Sequence, residues 1–250
     1  MKTYPFFVIL LCTSIMTLAQ QHLKFINAEA GSEVVFNNVP DHKYIWGQQA
    51  SDGTEQDLAG YVFSRYFGVA LELKSDREVT FATGLRFKQM DVTLGTNPIL
   101  FGPAYYYVIT NQTETSAEFL RVRDITQTTN YLGVTGDVRW YPFTRHRFTF
   151  YFKGGLEIDY RLRTKTEVTF ENSDMNPYAG EVEGLIKDPA DLTGVLHFNA
   201  GVEIGKKFLF RLEMGPSIFL NQNTSGLVKT IAGFDFGLSV QLPLNRSHEN

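Results

Sequence analysis

The sequence predicts an all-β chain folded as a single antiparallel up-and-down transmembrane β-barrel of eight strands, with ten as the alternative count. Three observations predict it. Hydrophobicity alternates with period two along most of the chain, which is the signature of strands with one apolar face. The alternating runs span roughly 9–17 residues, whereas strands of globular proteins average about 5–6 and a tilted membrane strand needs about 9–11. Short and long connections take turns along the chain, so that tight turns gather at one end and longer loops at the other.

The N-terminus is a different kind of sequence. Lys2 supplies a short positive region, and Phe6 to Leu11 open an apolar stretch that continues through Ile15 and Leu18. Thr17-Leu18-Ala19 then offers small residues where a signal peptidase reads them, so residues 1–19 read as a signal peptide cleaved before Gln20. A membrane anchor is the other reading, but the run is short and interrupted by Thr and Ser. Leu11 precedes Cys12 where a lipoprotein would have a small residue. Removing the peptide takes away the only cysteine, and with it any disulfide, thiol nucleophile or cysteine metal ligand. Of the 250 residues, 20–250 then form one barrel domain, with strands mainly over 60–244 and a polar tail at 245–250.

The strands follow in order. The first is expected within 33–49, where Val34, Val35, Phe36, Tyr44, Ile45 and Trp46 are the candidates. Tyr61, Phe63, Phe67, Val69, Leu71 and Leu73 share one parity, and Val79, Phe81, Leu85 and Phe87 another. Next come Leu132, Val134, Val138 and Trp140, and then the clearest stretch, "RFTFYFKGGLEIDYRLR" over 147–163. There Phe148, Phe150, Phe152, Leu156, Ile158, Tyr160 and Leu162 alternate with Lys153, Glu157, Asp159 and Arg161. Leu196 to Ile204, Phe208 to Ile218 and Phe234 to Leu242 complete the series. Tight turns are expected at 75–77, 144–146 and 205–207, and long connections near 95–128, 171–191 and 222–227. Residues 99–110 with 117–126 are read as a hairpin extending an external loop; as a further membrane hairpin they would bring the count to ten.

Alternation alone would also fit a soluble lipocalin-like barrel with its apolar face inside. Strand length argues for lipid outside, and so do the aromatics Trp140, Tyr141, Phe143, Phe148, Phe150, Phe208 and Phe210 at the short-turn end, placed like an interfacial girdle. The polar face also balances its charges. By parity it collects Glu72, Asp137, Glu157, Asp159, Glu203, Glu213 and Asp235 against Arg86, Lys88, Arg139, Lys153, Arg161 and Arg211, with His197 among them. Paired charges suit a closed interior, where an unpaired one is costly. Gly84, Gly133, Gly155, Gly201, Gly215, Gly233 and Gly237 on that face leave room for long side chains.

The sequence resembles the outer-membrane β-barrel family common in Bacteroidota, described as porin-like or PorT-like. The resemblance rests on Leu18-Ala19-Gln20, on "FGVALELKSDREVTFATGLRFK" and "FRLEMGPSIFL", and on "YLGVTGDVRWYPF" followed by "FTFYFKGGLEIDY". It covers about residues 60–244 and implies a barrel of eight to ten strands in the outer membrane of a Gram-negative, Bacteroidota-like envelope, with no active site to carry over. The chain departs from the family where such barrels finish on an aromatic residue: here Leu242-Pro243-Leu244 leads into "NRSHEN".

Chemistry is sparse. There is no G-x-S-x-G, H-E-x-x-H, C-x-x-C, G-x-G-x-x-G or P-loop, and a net charge of −4 offers no basic footprint for nucleic acid. No cofactor or metal is expected. His197 with Glu203 and Asp235 is the one constellation that a barrel-embedded hydrolase or acyltransferase would use. The acidic loop 171–191 matches no calcium-loop spacing and reads as a solvated loop. The expected function is non-enzymatic: an outer-membrane barrel with a charged, largely plugged lumen, held in outer-membrane lipid. It would act in envelope anchoring, binding or assembly, meeting another envelope protein or surface ligand through loops 95–128 and 171–191. A narrow pore for ions or small solutes is the alternative.

Overall fold

In the computed structural model, residues 23–40, 45–47, 59–74, 78–95, 106–110, 118–144, 148–205, 208–221 and 225–243 are described. The stretch expected to be a signal peptide, its expected cleavage point and the polar tail lie outside them.

Among the described residues ten strands run in chain order: β1 (Leu23–Asn38), β2 (Ile45–Gly47), β3 (Ala59–Lys74), β4 (Val79–Gly95), β5 (Tyr106–Thr110), β6 (Glu118–Thr144), β7 (Phe148–Phe170), β8 (Leu192–Gly205), β9 (Leu209–Phe219) and β10 (Lys229–Pro243). A single 3-10 turn (Ser173–Tyr178) and the short helix α1 (Ala179–Leu185) lie between β7 and β8. Eight strands close a ring in the order β1-β3-β4-β6-β7-β8-β9-β10, every neighbouring pair antiparallel. Closure is made by β1 on β10, from Phe25 opposite Pro243 to Asn38 opposite Lys229, and it leaves the ring without an exposed edge. The other two strands stand outside the ring. β5 pairs with the first residues of β6, from Tyr106 opposite Val122 to Thr110 opposite Glu118, and β2 pairs with β5. The hairpin therefore extends an outer loop, and the barrel has eight strands.

The first strand departs from its expected position. It begins at Leu23, and Ile45 and Trp46 belong to the outlying β2 instead. The reason is compositional: Ala28, Ala30 and Ser32 stand where larger apolar residues would have marked the outward face.

Connections of only a few residues join β3 to β4, β6 to β7 and β8 to β9, at one end, although residues 75–77, 145–147 and 206–207, where tight turns are expected, lie outside the described residues. In the last of these Gly205 has φ +132°, and a Cβ there would run into the carbonyl of Phe208, so the turn requires glycine. The long connections lie at the opposite, outer end.

Over most of the ring the outward face is apolar and the inward face charged. Phe67, Val69, Leu85, Val134, Phe152, Ile158, Leu212, Met214 and Leu238 are exposed, whereas Arg86, Arg139 and Arg211 are only 1–2% exposed. That is the reverse of a soluble barrel, and it makes the ring of the transmembrane kind. Nearer the long loops both faces exchange character. Gln89, Asp91, Thr93, Thr126 and Thr128 now point outward, while Met90, Val92, Leu94 and Ile125 are buried inside. These join Val182 of α1, Val195, Phe219, Leu227 and Val228 in one apolar cluster across the outer mouth. The crossover coincides with a bulge. Asn130 pairs with Arg163 and Tyr131 with Arg161, which leaves Leu162 as an extra residue on β7 and resets its facing above that level.

Candidate functional site

The lumen is built in layers from alternate residues of all eight ring strands. Nearest the tight turns, Glu72 on β3 is shared by two guanidinium groups. Arg211 donates to it from Nη1 at 2.7 Å and Nη2 at 3.1 Å, and Arg139 Nη1 donates at 2.9 Å. Asn27 adds an amide donor at 2.8 Å. The Nε of Arg211 bonds Glu203 at 2.8 Å, and Tyr141 Oη accepts from Arg211 Nη2 at 3.1 Å. Asp137 lies 3.8 Å from Arg139. One level further in, Lys153 is paired with Glu213, which also accepts from Tyr151 Oη at 3.1 Å.

The next layer joins Arg86 to Glu29 and Glu157, with contacts of 2.9 and 2.5 Å, and places its guanidinium 4.0 Å from the centre of the Tyr66 ring. Lys88 lies 2.6 Å from Glu157 and 2.9 Å from Asp159, and His197 Nε2 lies 3.1 Å from Glu157. Asp235 takes hydrogen bonds from Tyr66 Oη at 3.0 Å and Asn199 Nδ2 at 2.8 Å, while Glu33 accepts from Ser217. Ion pairs this far from solvent survive only when geometry and extra hydrogen bonds offset desolvation, and most of these carboxylates have two or more donors. Glycine makes the space: a Cβ on Gly133 or Gly155 would collide with the carboxylates of Asp159 or Asp137.

Of the residues assigned to the network by parity, Glu72, Arg86, Lys88, Asp137, Arg139, Lys153, Glu157, Asp159, His197, Arg211, Glu213 and Asp235 are buried in the lumen, and Glu203 is partly so. Arg161 is a correction. It sits just below the Leu162 bulge and turns to the outer loop, where it meets Asp188 at 2.5 Å and Asp191 at 2.6 Å. Tyr141 is a second correction, because it faces the lumen and not the lipid girdle. Glu29 and Glu33 were missed together with the lower half of β1; the inward spacing of Asn27, Glu29, Gly31 and Glu33 was the available signal. With those changes the described lumen holds nine acids against five permanent cations, so the expected charge balance gives way to an acidic surplus. His197, Glu203 and Asp235 are not assembled into a relay: His197 engages Glu157, and Glu203 engages Arg211.

The outer mouth is latched as well as capped. Gln127 on β6 is fully buried and ties two loops: its amide nitrogen Nε2 donates to Lys187 O at 3.1 Å, and its Oε1 accepts from Ser225 Oγ at 3.0 Å and Gly226 N at 2.9 Å. Gly226 packs so closely on Lys187 that a Cβ would collide with the Lys187 carbonyl. Arg161 holds the same loop from outside. Within 171–191, Glu171 pairs with Arg121. Among the described residues no three His, Asp or Glu side chains converge as a metal site, and no helix is long and apolar enough to cross a membrane. The outward wall carries a groove of about 670 Å³ lined by Trp140, Phe152, Phe198, Met214 and Phe234 among others.

No family model matches the chain, and no curated protein matches it. Several solved structures are similar. The outer membrane protein OprG from Pseudomonas aeruginosa is 16% identical, with 88% of this chain and 96% of that one covered and a TM-score of 0.37. The translocator domain of autotransporter NalP from Neisseria meningitidis is 8% identical, with 88% of each chain covered and a TM-score of 0.29. LpxR from Salmonella typhimurium is 7% identical, with 86% and 99% covered and a TM-score of 0.26. At such scores these likenesses carry no functional weight, and the fold stands on the strand ladder of the chain itself.

Proposed function

We propose that this chain is a non-catalytic barrel of a Gram-negative, Bacteroidota-like outer membrane, closed to solutes, that anchors, binds or helps assemble envelope components through its outer extension. The observation that carries the reading is the double closure of the interior: buried ion pairs occupy the lumen, and an apolar cluster latched by Gln127 covers its outer mouth. An eight-stranded ring encloses only enough room for side chains to fill. The apolar outward face supports residence in lipid. The extension built from β2, β5 and the start of β6, together with the loop 171–191, is the surface offered to an envelope protein or surface ligand.

The acidic surplus favours a second reading, a narrow path for small cations. Planar-bilayer recording on the purified full-length protein separates the two. The closed reading expects little or no conductance; steady, large, cation-selective currents overturn it and put the pore first. Crosslinking in intact membranes, with and without the 171–191 loop, tests the outer extension as the binding surface, and an unchanged set of crosslinked partners removes that loop from it.

A further inference from the structure

The groove in the outward wall lies apart from both the lumen and the outer mouth. It crosses five successive ring strands, β6 to β10, and holds about 670 Å³, within the roughly 300–1,000 Å³ of small-molecule sites. Its lining forms two neighbouring rows of the strand ladder. Trp140, Phe152, Ala200 and Met214 stand opposite one another in the first. Val138, Gly154 and Phe198 make the second, with Pro216 opposite Phe234 at its far end. Large side chains are the walls and small ones the floor. Trp140, Phe152, Phe198 and Met214 are each 50–53% exposed, so about half of each is left uncovered. The Trp140 and Phe152 rings are stacked 6.0 Å apart. Between the walls lie Gly154 and Ala200, and a Cβ on Gly154 would meet nothing within 4 Å.

A second, independent feature marks the same place. The β8–β9 ladder keeps one register on either side, His197 opposite Ser217 and Ala200 opposite Met214, yet Phe198 and Asn199 between them make no pair. Their counterparts are Pro216 and Gly215, and proline has no N–H to give. Within sheets proline is confined to edges and bulges, and a closed ring has no edge, so a rung is given up beside the hollow. What covers the groove follows from where it lies. The outward face of the ring meets hydrocarbon, so its occupant is apolar along its length. Trp140 and Phe152 stand four residues from the strand ends at Thr144 and Phe148, which places the groove toward the tight-turn end. Short turns of such barrels are periplasmic, so the groove faces the phospholipid leaflet and not the lipopolysaccharide one. Its four inter-strand spacings of about 4.8 Å give it roughly 19 Å of length. An acyl chain, half of a hydrocarbon core of about 30 Å, reaches about 15 Å.

We propose that this groove is a binding site for one acyl chain of an inner-leaflet phospholipid, retained by the barrel and not exchanged freely with the surrounding bilayer. The inference goes beyond the function proposed above and holds whatever the outer loops bind. It is tested on the full-length barrel in detergent, titrated with a phosphatidylethanolamine brominated along its acyl chains and followed by tryptophan fluorescence and native mass spectrometry. Trp140 lines the groove, and the other tryptophan, Trp46, belongs to the outlying β2. Quenching should saturate at a single lipid per barrel, with one phospholipid retained in the mass spectrum. Gly154→Leu fills the floor where the wall has room, so it should fold like the wild type and lose both the saturating phase and the retained lipid. If it does not fold, Ala200→Leu makes the same change from the neighbouring strand. Leu85→Phe, outward but away from the groove, should keep both signals. Quenching that only rises in proportion to added lipid, equal in wild type and Gly154→Leu, overturns the proposal. So does retention of lipopolysaccharide in place of phospholipid. A dimer that Gly154→Leu dissociates overturns it too, because the groove would then be an interface between copies.

Discussion

Removing Arg211 should destabilise the barrel more than removing Glu72, its main partner, and removing both should cost far less than the sum. Arg211 makes two hydrogen bonds to Glu72 and one to Glu203, at 2.7, 3.1 and 2.8 Å. Hydrogen bonds to charged groups contribute about 1.5–3 kcal/mol each, and breaking a buried pair typically costs about 3–5 kcal/mol. Arg211→Met leaves Glu203 with only a long contact from Tyr141 and adds to the acidic surplus, so about 3–5 kcal/mol is expected. Glu72→Met is gentler, because Arg211 keeps Glu203 and Arg139 keeps Asp137; about 2–3 kcal/mol is expected. The double variant should show a coupling of about 2–3 kcal/mol, near the upper end for residues in one network. Urea unfolding in lipid vesicles, followed by the fluorescence of Trp140 on the outward wall, measures all three. Additivity within about 0.5 kcal/mol, the behaviour of independent sites, would refute the shared hub. A larger loss for Glu72→Met would refute the argument from surplus charge.

Further expectations concern the wall and the mouth. Val134→Arg, on the outward face between Leu85 and Ile158, should cost about 2–4 kcal/mol if that level lies near the bilayer midplane. Thr93→Arg, outward but in the polar zone, should stay within about 0.5 kcal/mol; equal folding yields into vesicles would mean that the lipid band is misplaced. Gly226→Ala forces apart the two loops that meet at Lys187, and faster proteolytic nicking of 171–191 in the folded barrel is the readout. Gln127→Leu removes three latch bonds at once and should speed amide exchange at Lys187 and Gly226 while leaving the tight-turn end protected.

The ring was legible in the sequence because each of its later strands sets large apolar residues against charges over a membrane-sized length, as 148–162 does most plainly. The strand that closes it was half hidden. Its outward list runs through Ala28 and Ala30, too small to register as a greasy face, and so the inward Glu29 and Glu33 went uncounted and the lumen read as balanced. Arg161 was misplaced for a different reason: parity is a rule for unbroken ladders, and the extra residue at Leu162 announces itself only in the pairing. The apolar cap escaped notice because Met90, Val92 and Leu94 continue the inward parity of Arg86 and Lys88. Nothing local says that the surroundings have exchanged, since the reversal belongs to where the strand stands and not to its residues.

That exchange of inside and outside along the same strands fixes the barrel's draught in the membrane. Sliding outward would lift greasy wall into water; sinking would drag Asp91, Thr93 and Thr126 into hydrocarbon. Neither displacement is relieved from within, because the interior is immobilised by salt links on one side of the boundary and by close-packed hydrocarbon on the other. Where a helix answers a thicker or thinner bilayer by tilting, at a fraction of a kcal/mol per Å, this barrel obliges the lipid around it to stretch or compress. Any ligand of its outer extension would therefore sit at a set height relative to the bilayer.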